Sequence, residues 1–134
     1  MIVINKVFYF CASHRYGNPQ MTEAENQAAF GKDLNIHGHN YTLTVSISGE
    51  INPATGFIVD LGHVKDVVNK HVIDLIDHSQ IETDITWFKN KQPSTENMVV
   101  WIWDQIASRL KEGSLHRIRL NETPTIYTDY NGPQ

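Results

Sequence analysis

The spacing with the clearest chemical use in this chain is His37-Gly38-His39. Side chains at i and i+2 of a β-strand share one face, so two imidazoles at this spacing grip one ion from one side. The glycine between them carries no side chain and lets the backbone approach closely. A third histidine, His14, ends another strand-like run. Three neutral imidazoles without an evident fourth protein ligand describe a catalytic Zn2+ site, with one position left for water or substrate. The plain alternative is an incidental H-x-H pair. His63, His71 and His116 read as structural or exposed.

Two carboxylates stand near possible partners. Asp77-His78 closes a helical stretch and opens a loop, and loops display reactive groups. A carboxylate beside an imidazole orients it or raises its pKa, which suits acid–base work. The alternative is a histidine that simply favours a helix C-terminus. Glu122 shares strand parity with His116, Ile118 and Leu120. A carboxylate buried there needs donors, and a guanidine-like heterocycle edge supplies two N–H groups. A turn residue facing water is the other reading. Ser94-Thr95-Glu96-Asn97 reads as a helix start, and Trp101 and Trp103 as core or interface.

The elements that must position these residues follow from periodicity. Residues 2–13 are β-branched and aromatic, with Phe8, Phe10, Ala12 and His14 on one parity and Cys11 and Ser13 on the other. Thr22-Glu23-Ala24-Glu25 is a capping box, and a short helix follows it to Gly31. Residues 39–48 alternate, and His37 and His39 have the parity of the apolar face. Asn52-Pro53 and Gly56 mark a turn, which predicts a hairpin over 39–60. Asp60 is an N-cap for a helix whose apolar residues run from Leu61 to Ile76. Ser94 caps a second helix, with Met98, Val99, Ile102, Ile106 and Leu110 as its stripe and Gly113 as its end. Residues 115–121 and 125–130 close the chain as a hairpin around Thr123-Pro124. The order ββ, α, α, ββ predicts an α+β domain: a four-stranded antiparallel sheet with two helices on one face. Such a sheet leaves its other face in need of cover, which predicts oligomerisation.

Bulk properties narrow the function classes. The 134 residues form one domain by length, with 40% hydrophobic and 19% charged residues. A formal net charge of −4 argues against a general nucleic-acid surface. One cysteine excludes an intrachain disulfide framework. No stretch is apolar enough to span a bilayer, and the first residues lack the features of a signal peptide. The expected location is cytoplasmic, with no membrane partner.

Read together, these residues resemble the 6-pyruvoyl-tetrahydropterin synthase family, which includes the bacterial 6-carboxytetrahydropterin synthases. The matching pieces are Phe10-x-Ala12-x-His14-Arg15, Glu25-Asn26 with Phe30-Gly31-Lys32, and His37-Gly38-His39-Asn40-Tyr41. Gly49-Glu50-Ile51-x-Pro53-x-Thr55-Gly56, Asp77-His78, Ser94-Thr95-Glu96-Asn97 and Glu122-Thr123 complete them. The run from Glu25 to Lys32 looks like the pyruvoyl branch, and the short spacing from position 33 to His37 like the carboxy branch. The resemblance implies a tunnelling fold in which trimers close a twelve-stranded barrel and two trimers stack as a homohexamer. It implies that His14, His37 and His39 bind zinc. It further implies that Glu122 anchors a pterin with help from Thr95 and Glu96, and that Asp77 and His78 act from a neighbouring subunit. The implied reaction removes triphosphate from 7,8-dihydroneopterin triphosphate and rearranges the side chain. Arg15, Lys32 and Lys6 are the candidate phosphate cations.

One position departs from the pattern. The family places a cysteine general base a few residues before its H-x-H, and here that residue is Asp33. A free aspartate titrates near 3.9 and a free cysteine near 8.5, so the carboxylate is ionised but a far weaker base. Burial raises such a pKa and a nearby cation lowers it. Asp33 therefore has three readings: the proton-transfer group of a variant lyase, a fourth zinc ligand, or a spectator. Relatives with glutamate here cleave the side chain to 6-hydroxymethyl-dihydropterin, which keeps an aldolase-like reaction in view beside a pterin-binding protein without activity. Cys11 has the wrong parity to face the metal and reads as a small packed apolar residue.

Overall fold

A computed structural model describes residues 1–134. Strand β1 (Val3–His14) pairs along its whole length with β2 (His37–Ser48), β2 with β3 (Ser114–Thr123), and β3 with β4 (Ile126–Tyr130). All three pairings are antiparallel, and the sheet order is β1-β2-β3-β4. Helix α1 (Glu23–Phe30) and a 3-10 turn (Gly31–Leu34) connect β1 to β2. Between β2 and β3 run α2 (Leu61–Val68), a π-helical stretch (Asn69–Ile73), α3 (Asp74–Ile76), α4 (Ile81–Asp84) and α5 (Thr95–Ile106). This is the α+β protomer that the resemblance to the tunnelling fold implies.

The alternation of the strands decides which face the helices cover. Phe8, Phe10 and Ala12 of β1, Tyr41, Leu43, Val45 and Ile47 of β2, and Ile118 and Leu120 of β3 are buried. Against them pack Val64, Val68, Val72 and Ile76 from the α2–α3 segment and Met98, Ile102 and Ile106 from α5. The other face of β1 is open, and Val7 and Tyr9 are exposed on it. His14 ends β1 on the covered side and is fully buried. Register then fixes the histidines: His14 pairs with His37 and Ala12 with His39.

Local chemistry sets the helix starts. Thr22 Oγ1 accepts from Glu25 N while Glu25 Oε1 accepts from Thr22 N, the reciprocal capping box expected from sequence. Ser94 Oγ accepts from Asn97 N, and Asp60 Oδ1 from Gly62 N.

Three expectations need correction. Residues 49–60 form no second strand, so the 39–60 hairpin is absent. Asn52 instead folds the segment on itself: its carbonyl accepts from Gly56 N, its side chain from Ala54 N, and its own N–H donates to Phe57 O. The helix from Leu61 to Ile76 is not uniformly α-helical, because Asn69–Ile73 widens to a π turn. Val68, Val72 and Ile76 stay buried through it, a spacing of four that suits the wider turn. Helix α5 ends at Ile106 and passes through a 3-10 turn (Ala107–Arg109), short of Gly113. Gly113, at φ 68°, serves the entry to β3, where a Cβ would stand 2.9 Å from Ser48 O.

Candidate active site

The three histidines expected to hold a metal converge, with one ligand nitrogen from each within 4.8 Å of the others. His14 Nδ1 donates to Pro93 O at 2.8 Å, and His37 Nδ1 to Asn35 O at 2.8 Å. A carbonyl only accepts, so both rings carry their proton on Nδ1 and present a bare Nε2 lone pair. Those two Nε2 atoms face each other at 3.1 Å. Two lone pairs that close repel unless a cation lies between them. Nitrogens each about 2.0–2.1 Å from one tetrahedral ion stand roughly 3.4 Å apart, close to the spacing here. His39 Nε2 is buried without a hydrogen-bond partner, although Glu122 Oε1 lies 2.8 Å from it. The contact has the distance of an ion pair but not the direction of a hydrogen bond, and an ion among the three nitrogens would satisfy His39. The carbonyl partners of His14 and His37 are the outer contacts that orient metal-binding imidazoles. The residues fit a metal with nitrogen preference.

Burial, above all, holds His14 below its ordinary value of 6.5; the Pro93 hydrogen bond opposes this, and His37 and His39 reinforce it. The neutral ligand form is therefore favoured. The sign of the pH effect follows from which state binds the proton first. That is the unfolded chain, so stability rises with pH. In metal-free protein this contribution is intact above about pH 6.5 and is lost as pH falls through the lower folded value. Urea midpoints of metal-stripped protein fall between pH 7.5 and pH 5, and the slope shrinks in His14→Asn. A slope unchanged by that substitution would contradict a neutral buried His14.

Around the histidines lie the carboxylates. Asp33 Oδ1 is 3.7 Å from His37 Nε2, the nitrogen turned to the ion's place, and its side chain is 60% exposed. Glu122 comes from the end of β3, beside a register shift at Asn121/Thr123. Thr95 and Glu96 open α5: Thr95 is buried, and its Oγ1 shares hydrogen bonds with Glu96 Oε1 at 2.9 Å and Thr128 Oγ1 at 2.8 Å. Arg15 lines a cleft with Tyr16 and Glu82, whereas Lys6 lies over the Phe8 ring.

Asp77 and His78 are brought together but not to the metal cluster. They lie at the free edge of β1, where His78 Nδ1 is 3.0 Å from Asp77 Oδ1. His78 N donates to Cys11 O and Ser13 N to Ser79 O, so residues 77–80 cap that edge. Cys11 faces away from the metal as its parity requires. It is not a packed apolar residue, however: it is half-buried, with Sγ 3.8 Å from His78 Nε2. The edge cap brings a polar partner to a position that parity alone leaves apolar.

Tyr16 is the site residue that motif reasoning passed over. Its ring stacks on Phe30 at 5.6 Å and lies 6.4 Å from His37 at an interplanar angle of 18°. Its N–H donates to Asp33 O, which ties the 3-10 turn to the end of β1. Burial and the nearby Glu122, Glu96 and Asp33 charges push its phenol far up, so it is a neutral donor. The available signal was its parity with His14, two residues on.

The family model described as 6-pyruvoyl tetrahydropterin synthase matches residues 3–133. A 6-pyruvoyl tetrahydrobiopterin synthase of Drosophila melanogaster is 36% identical over 127 residues, covering 92% of this chain and 76% of that one. A 6-carboxy-5,6,7,8-tetrahydropterin synthase of Haemophilus influenzae is 29% identical over 120 residues, covering 75% and 84%. The solved structure of Caenorhabditis elegans 6-pyruvoyl tetrahydropterin synthase superposes at a TM-score of 0.93 and 30% identity, over 98% of this chain and 96% of that one. On the family-model match over nearly the whole chain and the relatives at 30% identity or more, this chain belongs to the 6-pyruvoyl tetrahydropterin synthase family.

Proposed function

We propose that the chain is a zinc-dependent lyase that converts 7,8-dihydroneopterin triphosphate to a 6-substituted tetrahydropterin with release of triphosphate. The 6-pyruvoyl product is favoured over the 6-carboxy product, because the pyruvoyl relatives are more similar over more of the chain. The observation that carries the reading is the convergence of His14, His37 and His39, the first two with bare Nε2 atoms, beside Glu122. Zn2+ bound there supplies a Lewis acid that polarises side-chain oxygens and acidifies the adjacent C–H groups. Glu122 accepts two N–H groups from the pterin ring, a charge-assisted pair that sets the ring's orientation. Thr95 and Glu96 hold the near end of α5 beside it, and Tyr16 covers His37. Asp33, beside His37, accepts a proton from the substrate side chain. Asp77 and His78 form a second proton-transfer pair, which acts on the site of a neighbouring subunit in a homohexamer. Arg15 and Lys32 meet the phosphates.

The carboxylate at position 33 also favours a second reading, aldolase-like cleavage of a dihydroneopterin to 6-hydroxymethyl-dihydropterin. A binding protein without activity is the third. Asp33→Ala separates enzyme from binder: kcat falls by about 10²–10⁴-fold while pterin binding holds within a few-fold. Unchanged kcat would remove Asp33 from the chemistry. Asp33→Cys raises triphosphate release if only the base differs from the family pattern. Metal removal tests the proposal as a whole: chelated enzyme releases no triphosphate, and added Zn2+ restores it. Turnover that survives chelation would overturn the proposal, and a monomer by light scattering would overturn the shared site.

A further inference from the structure

We infer that Cys11, His78 and Asp77 form a second proton-transfer centre, a thiol–imidazole–carboxylate triad that supplies the thiol missing at position 33. The inference rests on the lyase reading above and adds a catalytic residue to it.

The geometry is ordered end to end. Asp77 Oδ1 lies 3.0 Å from His78 Nδ1, and His78 Nε2 lies 3.8 Å from Cys11 Sγ. A carboxylate on one ring nitrogen therefore orients the other toward a thiol, the arrangement that activates a weak nucleophile or base. Cys11 N also donates to Asp77 Oδ1 at 3.0 Å. That hydrogen bond, first, holds the Asp77 carboxyl below its ordinary value, with His78 helping. Backbone hydrogen bonds hold His78 in an unfavourable backbone conformation. It is the one non-glycine residue with positive φ, at 63°, and its N–H donates to Cys11 O. Such a conformation persists where the surroundings impose it.

The triad opens onto space for a ligand. A cavity of about 360 Å³ is lined by Cys11, Asn40, His78 and Ser79, together with Gly38 and His39. Gly38 pairs with Ser13 on this side, and a Cβ there would stand 3.1 Å from Ala12 O. The absence of a side chain lets the two strands approach closely beside the cavity. Cys11 and His14 lie on opposite faces of β1, so the triad faces away from its own chain's histidine cluster and, on the shared-site reading above, serves that of a neighbouring chain.

Proton accounting closes without another reactant. The thiol proton passes to His78 Nε2, and Asp77 faces the resulting imidazolium. The thiolate then takes a proton from a side-chain carbon of the substrate, and the C–H electron pair stays in the substrate as an enol. His78 returns its proton to the substrate, which leaves thiol and neutral imidazole as at the start. Elimination and rearrangement each require a proton to move, so a carboxylate at 33 and a thiol at 11 are not redundant.

Cys11 is the only cysteine, which makes thiol chemistry a clean readout. The native, zinc-loaded protein is treated with iodoacetamide at pH 7, and its rate is compared with that of the urea-unfolded chain. The native rate is about tenfold faster or more, and His78→Gln returns it to the unfolded-chain rate. In parallel, Cys11→Ser and Cys11→Ala lower kcat by at least about tenfold with KM, zinc content and melting temperature unchanged. A native rate no faster than that of the unfolded chain, or full kcat in Cys11→Ala, overturns the triad. Fast, His78-dependent alkylation in a protein without lyase turnover upholds the activated thiol and refutes the lyase reading instead.

Discussion

His39→Ala removes the metal and the activity together. Structural zinc sites bind with about 10–16 kcal/mol, so one of three ligands accounts for roughly a third, on the order of 10²–10⁴-fold in affinity. His39 is the sharpest choice of the three. His14 is fully buried beneath the helices, and its loss also leaves a cavity. His37 stacks with Tyr16, so its loss disturbs packing as well. His39 Nε2 has no hydrogen bond to lose. The variant therefore folds, keeps its melting temperature within a few degrees of the metal-free parent, and carries far less than one zinc per chain by elemental analysis. Triphosphate release falls at least as far as occupancy. Full zinc occupancy in His39→Ala would mean that the ion is held elsewhere.

Glu122→Gln separates substrate binding from metal binding. A hydrogen bond to a charged group contributes about 1.5–3 kcal/mol, so one lost and one weakened to a neutral acceptor correspond to about 10–10³-fold in pterin affinity. The amide keeps the shape but offers a donor where the ring needs an acceptor, so one N–H of the pterin meets another N–H. Zinc content stays near one per chain, because Glu122 approaches His39 without taking the place of an imidazole. Titration of pterin fluorescence gives the affinity, and elemental analysis gives the zinc. Loss of zinc in Glu122→Gln would make Glu122 a fourth ligand and would move the pterin anchor elsewhere.

The features that could be read from the sequence are those set by strand period. Phe8, Phe10, Ala12 and His14 share a face because β1 is regular to its end, and antiparallel register then carries His37 opposite His14. The helix caps at Thr22, Asp60 and Ser94 were legible for a similar reason: each is a contact between residues two or three apart. What stayed hidden depends on the path of the loops. Cys11 looked apolar because nothing local shows that residues 77–80 fold back along the edge of β1 and bring His78 to its sulfur. Tyr16 belongs to no motif, and only the path of the 3-10 turn places Phe30 and Asp33 against it. The 49–60 segment carries turn residues that suit a hairpin, but Asn52 satisfies its own backbone contacts within six residues and no strand is needed. The π turn at Asn69–Ile73 preserves an apolar spacing that an ordinary helix also satisfies, so periodicity could not reveal it.

The central claim is a lyase built on the histidine cluster, and product analysis tests it most directly. Zinc-loaded protein is given 7,8-dihydroneopterin triphosphate and, separately, the dephosphorylated compound, and the products are identified by mass spectrometry. Triphosphate release and a 6-pyruvoyl- or 6-carboxy-tetrahydropterin are expected from the first substrate, with no reaction of the second. A 6-hydroxymethyl-dihydropterin from either substrate would contradict it in favour of side-chain cleavage, and tight pterin binding without turnover would contradict it in favour of a binding protein.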